Sequence, residues 1–168
     1  TKLTNVVLPA SLVNIEQWAF AGCRSLSSIT IPEGVTRIEG AAFSNCSELT
    51  DIVIPDSVTS IGNSAFAGCG KLKSVVLPTG VTDIGEHMFW GCTDLADESG
   101  LVIIHGTLYS CVDDRDSVTI PKDVTRIGDG AFAGCGDLTD ITIPDNVTSI
   151  GRGAFSRCEF LDSITLPD

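Results

Sequence analysis

Seven prolines punctuate this chain at fixed intervals, and their spacing limits what the chain can fold into. Pro9, Pro32, Pro55 and Pro78 lie 23 residues apart, one gap of 43 leads to Pro121, and the 23-residue step resumes at Pro144 and Pro167. Phe20, Phe43, Phe66, Phe89, Phe132 and Phe155 keep the same phase, as do Cys23, Cys46, Cys69, Cys92, Cys135 and Cys158. A fixed period of roughly 20 to 50 residues marks a solenoid, in which no unit can bury its apolar face alone. The 168 residues therefore count repeats, about seven of them at this period. They are expected to form a single repeat domain over 1–168, with one irregular insertion at 96–115.

The unit is shown by Leu49-Thr-Asp-Ile52-Val-Ile54-Pro55-Asp-Ser-Val58-Thr-Ser-Ile61-Gly-Asn-Ser-Ala65-Phe66-Ala-Gly68-Cys69. Ile52-x-Ile54 has the period of a strand with both side chains pointing inward. The proline cannot donate to a ladder and ends that strand. Turn residues follow two positions later: Gly34, Ser57, Gly80, Asp123 and Asn146. Val-x-x-Ile then returns as a short strand, and Ala-Phe reads as a single helical or 3₁₀ turn. Gly22, Asn45, Gly68, Gly91 and Gly134 suit a left-handed residue after that turn. Arg157 holds the same position in the last full unit, where the left-handed backbone costs stability. The phase predicts a core of Leu26, Ile29, Ile31, Val35, Ile38, Ala42, Phe43, Cys46 and their equivalents, with one ladder of phenylalanines. The outward positions of the first strand are Thr4, Asn5 and Val7; Ser28 and Thr30; Asp51 and Val53; Ser74 and Val76; Asp140 and Thr142; Ser163 and Thr165. They are small and mostly polar.

The Pro-closed strand, the Ile-Gly step and the Ala-Phe-x-Gly-Cys corner resemble the leucine-rich repeats of the BspA-like, or Treponema, type of bacterial surface protein. The resemblance covers nearly the whole chain. The sequence departs from the common leucine-rich pattern, because no Asn or Cys stands three residues after the strand's last apolar position. The resemblance implies an α/β-type repeat solenoid, mostly β, coiled right-handedly. It implies a parallel sheet on the concave side and short strands and turns on the convex side. It also implies an extracellular, non-enzymatic module for protein–protein contact or adhesion. The partner would be a host or neighbouring-cell protein or a matrix component. The alternative is a stiff spacer that displays another domain. Because both ends of the chain fall inside the repeat pattern without a polar cap, a fragment of a longer protein, or a mature product cut from one, is expected.

The insertion holds two β-prone runs, Leu101 to Ile104 and Leu108 to Val112, around His105-Gly106-Thr107. That pattern reads as a hairpin, giving the solenoid one β-arm. In the alternative, Leu101 to Ile104 replaces a ladder strand and the remainder loops out. The formal charge of −12 argues against nucleic acid and anionic membranes, both of which need Lys and Arg. No run reaches the roughly 18 apolar residues of a membrane span.

Chemistry-bearing clusters are sparse. Stacked thiols at about 4.8 Å spacing fall within disulfide reach but point in parallel, so packing as small hydrophobes is the better reading. Cys111 stands outside that ladder and is the one candidate for a reactive thiol, with a structural role in the arm preferred. No C-x-x-C pair, phosphate-binding glycine motif or nucleophile–base–donor set occurs, so no cofactor, metal or enzyme activity is expected. Asp113, Asp114 and Asp116 lack the Gly and Glu of a calcium loop and read as a solvated turn. Asn45-Cys-Ser47 and Asn146-Val-Thr148 match a glycosylation pattern but also fit the repeat's turns.

The pattern departs from itself most clearly in the fourth coil. His87, Met88 and Trp90 replace the Ser64, Ala65 and Ala67 of its neighbour, and the insertion adds His105 and Tyr109. Trp90 and Met88 either pack under the arm or leave an aromatic patch beside it. Trp18 replaces a small residue at the phase of His87, half exposed. The candidate partner-binding residues are therefore His87, Trp90, His105, Tyr109 and Trp18.

Overall fold

The computed structural model describes residues 2–113, 115–162 and 164. Ser163 and Thr165, the outward pair expected in the last strand, and Asp114 lie outside the described residues. The chain divides into two compact units, Thr1–Leu95 and Ala96–Asp168.

In the first unit, each coil contributes two short strands to two separate columns. The first column contains β1 (Asn5–Val7), β3 (Ser28–Thr30), β5 (Asp51–Val53) and β7 (Ser74–Val76). Pairing is parallel and joins equivalent positions, so Ile52 faces Val75. The second column contains β2 (Asn14–Ile15), β4 (Arg37–Ile38), β6 (Ser60–Ile61) and β8 (Asp83–Ile84), in that spatial order. This is the Val-x-x-Ile return strand. The threonine before it repeats because its hydroxyl donates one coil back, Thr36 to the Val13 carbonyl and Thr59 to that of Thr36, both at 3.4 Å.

The core follows the repeat phase. Leu26, Val35, Ala42, Phe43 and Cys46 are wholly buried, and Ile29, Ile31 and Ile38 nearly so. Phe20, Phe43, Phe66 and Phe89 stack face to face, with centroid separations of 5.3, 5.3 and 6.0 Å. Aromatic stacking of this kind adds to what burial of the rings already contributes.

The second unit repeats the scheme around the hairpin. β11 (Ser117–Thr119) pairs in parallel with β13 (Asp140–Thr142), and β12 (Arg126–Ile127) with β14 (Ser149–Ile150). Phe132 and Phe155 stack at 5.2 Å. The insertion is the expected hairpin, β9 (Leu101–Ile104) antiparallel to β10 (Thr107–Cys111). Its turn is a two-residue one, with His105 at φ 49° and Gly106 at φ 71°. Two positive φ values are the requirement of a type I′ turn, whose twist suits paired strands.

The hairpin is also built into the stack. β10 pairs in parallel with β12, Leu108 facing Ile127, so it occupies the return-strand column one coil before Ile127. Leu101 to Ile104 thus does not replace a ladder strand; β10 does, and β9 closes the edge of that sheet. Leu108 is wholly buried in the second unit's core with Val118, Ile120, Ile127 and Phe132.

Candidate functional site

The candidate residues of the first unit stand on the corner between the return strand and the cysteine. Here the structure differs from a single helical turn. Backbone N–H groups alternate between two acceptors. Ala19 and Ala21 donate three residues back, to Glu16 and Trp18, whereas Trp18, Phe20 and Gly22 donate to the next coil at Gly40, Ala42 and Ser44. Among the described residues, the only 3₁₀ segment is Thr93–Leu95. A helix would turn all its N–H groups along one axis, so the alternation needs residues of inverted backbone.

Two left-handed columns meet that need. One contains Gly22, Asn45, Gly68 and Gly91 in the first unit, with Gly134 and Arg157 at the equivalent position of the second, at φ values from 59° to 83°. These were the expected residues, and Arg157 keeps the geometry at φ 60°. The other was missed: Trp18, Ala41, Ser64 and His87 in the first unit, at φ 53° to 59°, and Gly130 and Gly153 in the second. A signal for it exists in Gly128-Asp-Gly130-Ala-Phe and Gly151-Arg-Gly153-Ala-Phe, where two glycines share one corner. A bulky residue at positive φ is uncommon and strained.

Trp18 and His87 therefore share one column of the first unit, three coils apart. Trp18 is 64% exposed and Trp90 58% exposed, while Met88 is buried in the slot held by Ala42 and Ala65 in earlier coils. Trp90 thus keeps its ring in solvent while its neighbour fills the core. The ring stack is loosest at this coil, 6.0 Å and 23° between Phe66 and Phe89. His87 is half-buried.

His105 and Tyr109 belong to the second unit. His105 is exposed at the tip of the turn. Tyr109 lies at the irregularity between Leu108 and Ser110 where the hairpin register shifts. It is half-buried, and burial pushes its hydroxyl pKa up against the opposing influence of Arg126 and a hydrogen bond with Thr107. Asp113 is engaged by Arg115 at 2.8 Å, the second arginine amine also reaching the Glu98 carbonyl at 3.0 Å. The side-chain amide of Asn146 donates to the Val124 carbonyl at 2.8 Å, serving its own turn.

The cysteines have a structural task that the sequence did not show. The thiols of Cys46, Cys69, Cys92 and Cys158 each donate to the phenylalanine carbonyl one coil back, all at 3.2 Å. Burial pushes the Cys46 thiol up to about 11 and that of Cys92 up to about 12. Cys69 is raised further, by burial first and by the adjacent Cys92 and Cys46. A raised thiol pKa leaves little thiolate and makes these groups poor nucleophiles. None of the seven cysteines is held in a disulfide.

Among the described residues, no group of three or more His, Cys, Asp or Glu side chains could hold a metal ion. No helix among them is long and apolar enough to cross a membrane.

Comparison with known proteins rests on this repeat. The family model for the BspA-type leucine-rich repeat region, six copies, matches residues 1–99 and 102–168. The leucine-rich repeat protein of T. pallidum is similar at 32% identity and a TM-score of 0.62, over 97% of this chain and 80% of that one. The pneumococcal vaccine antigen PcpA shares the fold at 23% identity and a TM-score of 0.53, over 98% of this chain and 51% of that one. None of the curated proteins matches the chain.

Proposed function

The chain belongs to the BspA-type leucine-rich repeat family, and from that premise we propose that it is a non-enzymatic protein-binding module of the bacterial cell surface, with an adhesion-like role. One observation carries the reading: large side chains are displayed at strained backbone positions of an otherwise uniform stack. Trp18 and His87 hold left-handed backbone, where glycine serves without strain. Strain of this kind concentrates at binding and switch regions. Trp90, three residues after His87 on the same corner, leaves an indole in solvent. Tryptophan is among the side chains enriched in energetically dominant contacts. His105, on the hairpin turn of the second unit, is a separate exposed contact, and the half-buried Tyr109 contributes less. A cell-surface setting rests on the family resemblance, and the partner is a protein or a matrix component.

The test is a binding screen of the chain against purified fibronectin, laminin and collagens, repeated with Trp90→Ser and Trp18→Ser. A dominant aromatic contact contributes about 2 kcal/mol or more. Its loss should weaken binding by about tenfold or more, tenfold being 1.4 kcal/mol. The small outward side chains of β3, β5 and β7 favour a second reading, a spacer. Binding unchanged in both variants would remove the corner from the proposal, and no binding to any component would favour the spacer.

A further inference from the structure

In the second unit the hairpin interrupts the repeat and sets a cysteine where a phenylalanine stands in regular coils. In regular coils, the phenylalanine carbonyl that accepts the next coil's thiol belongs to a residue with a second signature. Its own N–H donates to the alanine carbonyl of the next coil: Phe20 to Ala42, Phe43 to Ala65 and Phe132 to Ala154, each at 2.8 Å. The Cys111 N–H makes that same bond, to the Ala131 carbonyl at 2.8 Å. Cys111 thus stands where a phenylalanine stands elsewhere, and Cys135 is the ladder cysteine of the coil above it. Cys135 faces a cysteine position there, and the Cys135 side chain is the largest influence on the Cys111 thiol.

Position in the coil separates this pair from the rest of the ladder. Ladder thiols hold one position of the coil, whereas Cys111 holds the phenylalanine position and Cys135 the cysteine position of the next coil. Both are slightly exposed, at 7% and 8%, as the ladder's Cys23 is at 7%, whereas Cys46, Cys69 and Cys92 are at 0%. Both belong to the core cluster of the second unit.

We propose that Cys111 and Cys135 form an oxidisable dithiol, at which a peroxide closes a covalent cross-link between β10 and the corner of the next coil. The Cys111 thiolate attacks one peroxide oxygen; the O–O bond breaks, the sulfur is oxidised to a sulfenic acid, and one water leaves. The Cys135 sulfur then attacks the sulfenyl sulfur, the S–O bond breaks, and a second water leaves. Two thiols and one hydrogen peroxide thus become one disulfide and two waters, two electrons passing from sulfur to oxygen. The order of attack follows from acidity. The hydrogen bond with Cys135 holds the Cys111 thiol below its ordinary range, with the Asp113 backbone and Arg115 acting in the same direction against burial and the Asp113 charge. The ladder thiols are shifted the other way. A site that pairs a more acidic thiol with a resolving one is the arrangement that oxidant-sensitive cysteines require.

The test treats the full chain in its native state with hydrogen peroxide, traps remaining thiols with iodoacetamide, and maps non-reduced peptides by mass spectrometry. The expected product is one disulfide, Cys111–Cys135, reversed by a dithiol reductant, with Cys46, Cys69 and Cys92 alkylated only after unfolding. The oxidised chain should also melt at a higher temperature than the reduced one, because the cross-link restricts the unfolded state. C111S should leave no intramolecular disulfide at the same dose. Linkage among the buried ladder cysteines, over-oxidation of Cys111 without a link, or no reaction would each overturn the proposal. The peptide map of the unsubstituted chain decides the matter even if C111S does not fold.

Discussion

The two units build the same corner from different residues. In the first, Trp18, Ala41, Ser64 and His87 hold the first left-handed position; in the second, Gly130 and Gly153 do. The hydrogen-bond pattern is unchanged: Ala41, Phe43 and Asn45 donate to the next coil as Gly130, Phe132 and Gly134 do. The backbone of the corner is therefore set by the stack, and the residue at this position adapts to it. Glycine relieves the strain; a side chain accepts it and is held outward in a fixed direction. The second difference is the start of each ring stack. Four phenylalanines follow one another in the first unit, whereas in the second Cys111 takes the place before Phe132. The coil can thus lose its phenylalanine and part of its corner and still pass its hydrogen bonds on.

The largest expected effect tests whether stacking is nearest-neighbour. Phe66 lies between Phe43 and Phe89, at 5.3 and 6.0 Å. Phe66→Ala should cost about 3–5 kcal/mol, the usual range for truncating a buried phenylalanine. Phe155 is half-buried and stacks on Phe132 at 5.2 Å. Phe155→Ala should cost less, because a coil with fewer neighbours opens locally at lower free energy. Urea unfolding midpoints read the difference, and equal shifts for the two variants would contradict a stack held by adjacent coils.

A smaller effect tests what the units share. A Cβ at Gly62 would come within 2.5 Å of the Gly40 backbone nitrogen, and one at Gly151 within 2.5 Å of the Asp129 nitrogen. Backbone atoms of the preceding coil cannot step aside as a side chain can. Gly62→Ala and Gly151→Ala should each cost about 1–3 kcal/mol, as overpacking does. Gly80 meets nothing within 4 Å, and Gly80→Ala should change stability by no more than about 0.5 kcal/mol. Thermal melting of the three variants distinguishes a crowded corner from a turn with room to spare. If Gly62→Ala were as mild as Gly80→Ala, the close approach would not constrain the coil.

These contrasts also show what could be read from residues alone. The strand columns, the buried set around Phe43 and the left-handed column from Gly22 to Arg157 follow from phase, because every coil repeats the same environment. The hairpin follows from two β-prone runs and a His-Gly turn. Phase fails once the spacing changes. Between Leu108 and Cys111 the chain is two residues shorter than between Ile127 and Phe132, so Cys111 enters the phenylalanine column without a sequence match. Trp18, Ala41, Ser64 and His87 conceal their shared backbone because nothing in their side chains favours positive φ. Of the candidate contacts, the outward placement of Trp90 was open from the sequence, since a tryptophan before an insertion can be covered or free.

The smallest effect addresses the opening contrast most directly. Ala41→Gly and Gly130→Ala are the same exchange run in opposite directions at one structural position, φ 53° in the first case and φ 67° in the second. A left-handed backbone costs an L-residue about 1–2 kcal/mol. Alanine in place of glycine recovers about 0.4–1 kcal/mol by restricting the unfolded chain. The difference leaves roughly 0.5–1 kcal/mol in favour of glycine at this position. Ala41→Gly should therefore raise the unfolding midpoint and Gly130→Ala should lower it by a similar amount, both read by urea titration with the slope unchanged. Opposite and comparable shifts would mean that the first unit keeps side chains at its corners against their conformational preference. That outcome fits a surface retained for what Trp18 and His87 touch. If Ala41→Gly instead destabilises, the side chains at this column contribute packing that outweighs the strain, and their retention needs no partner to explain it.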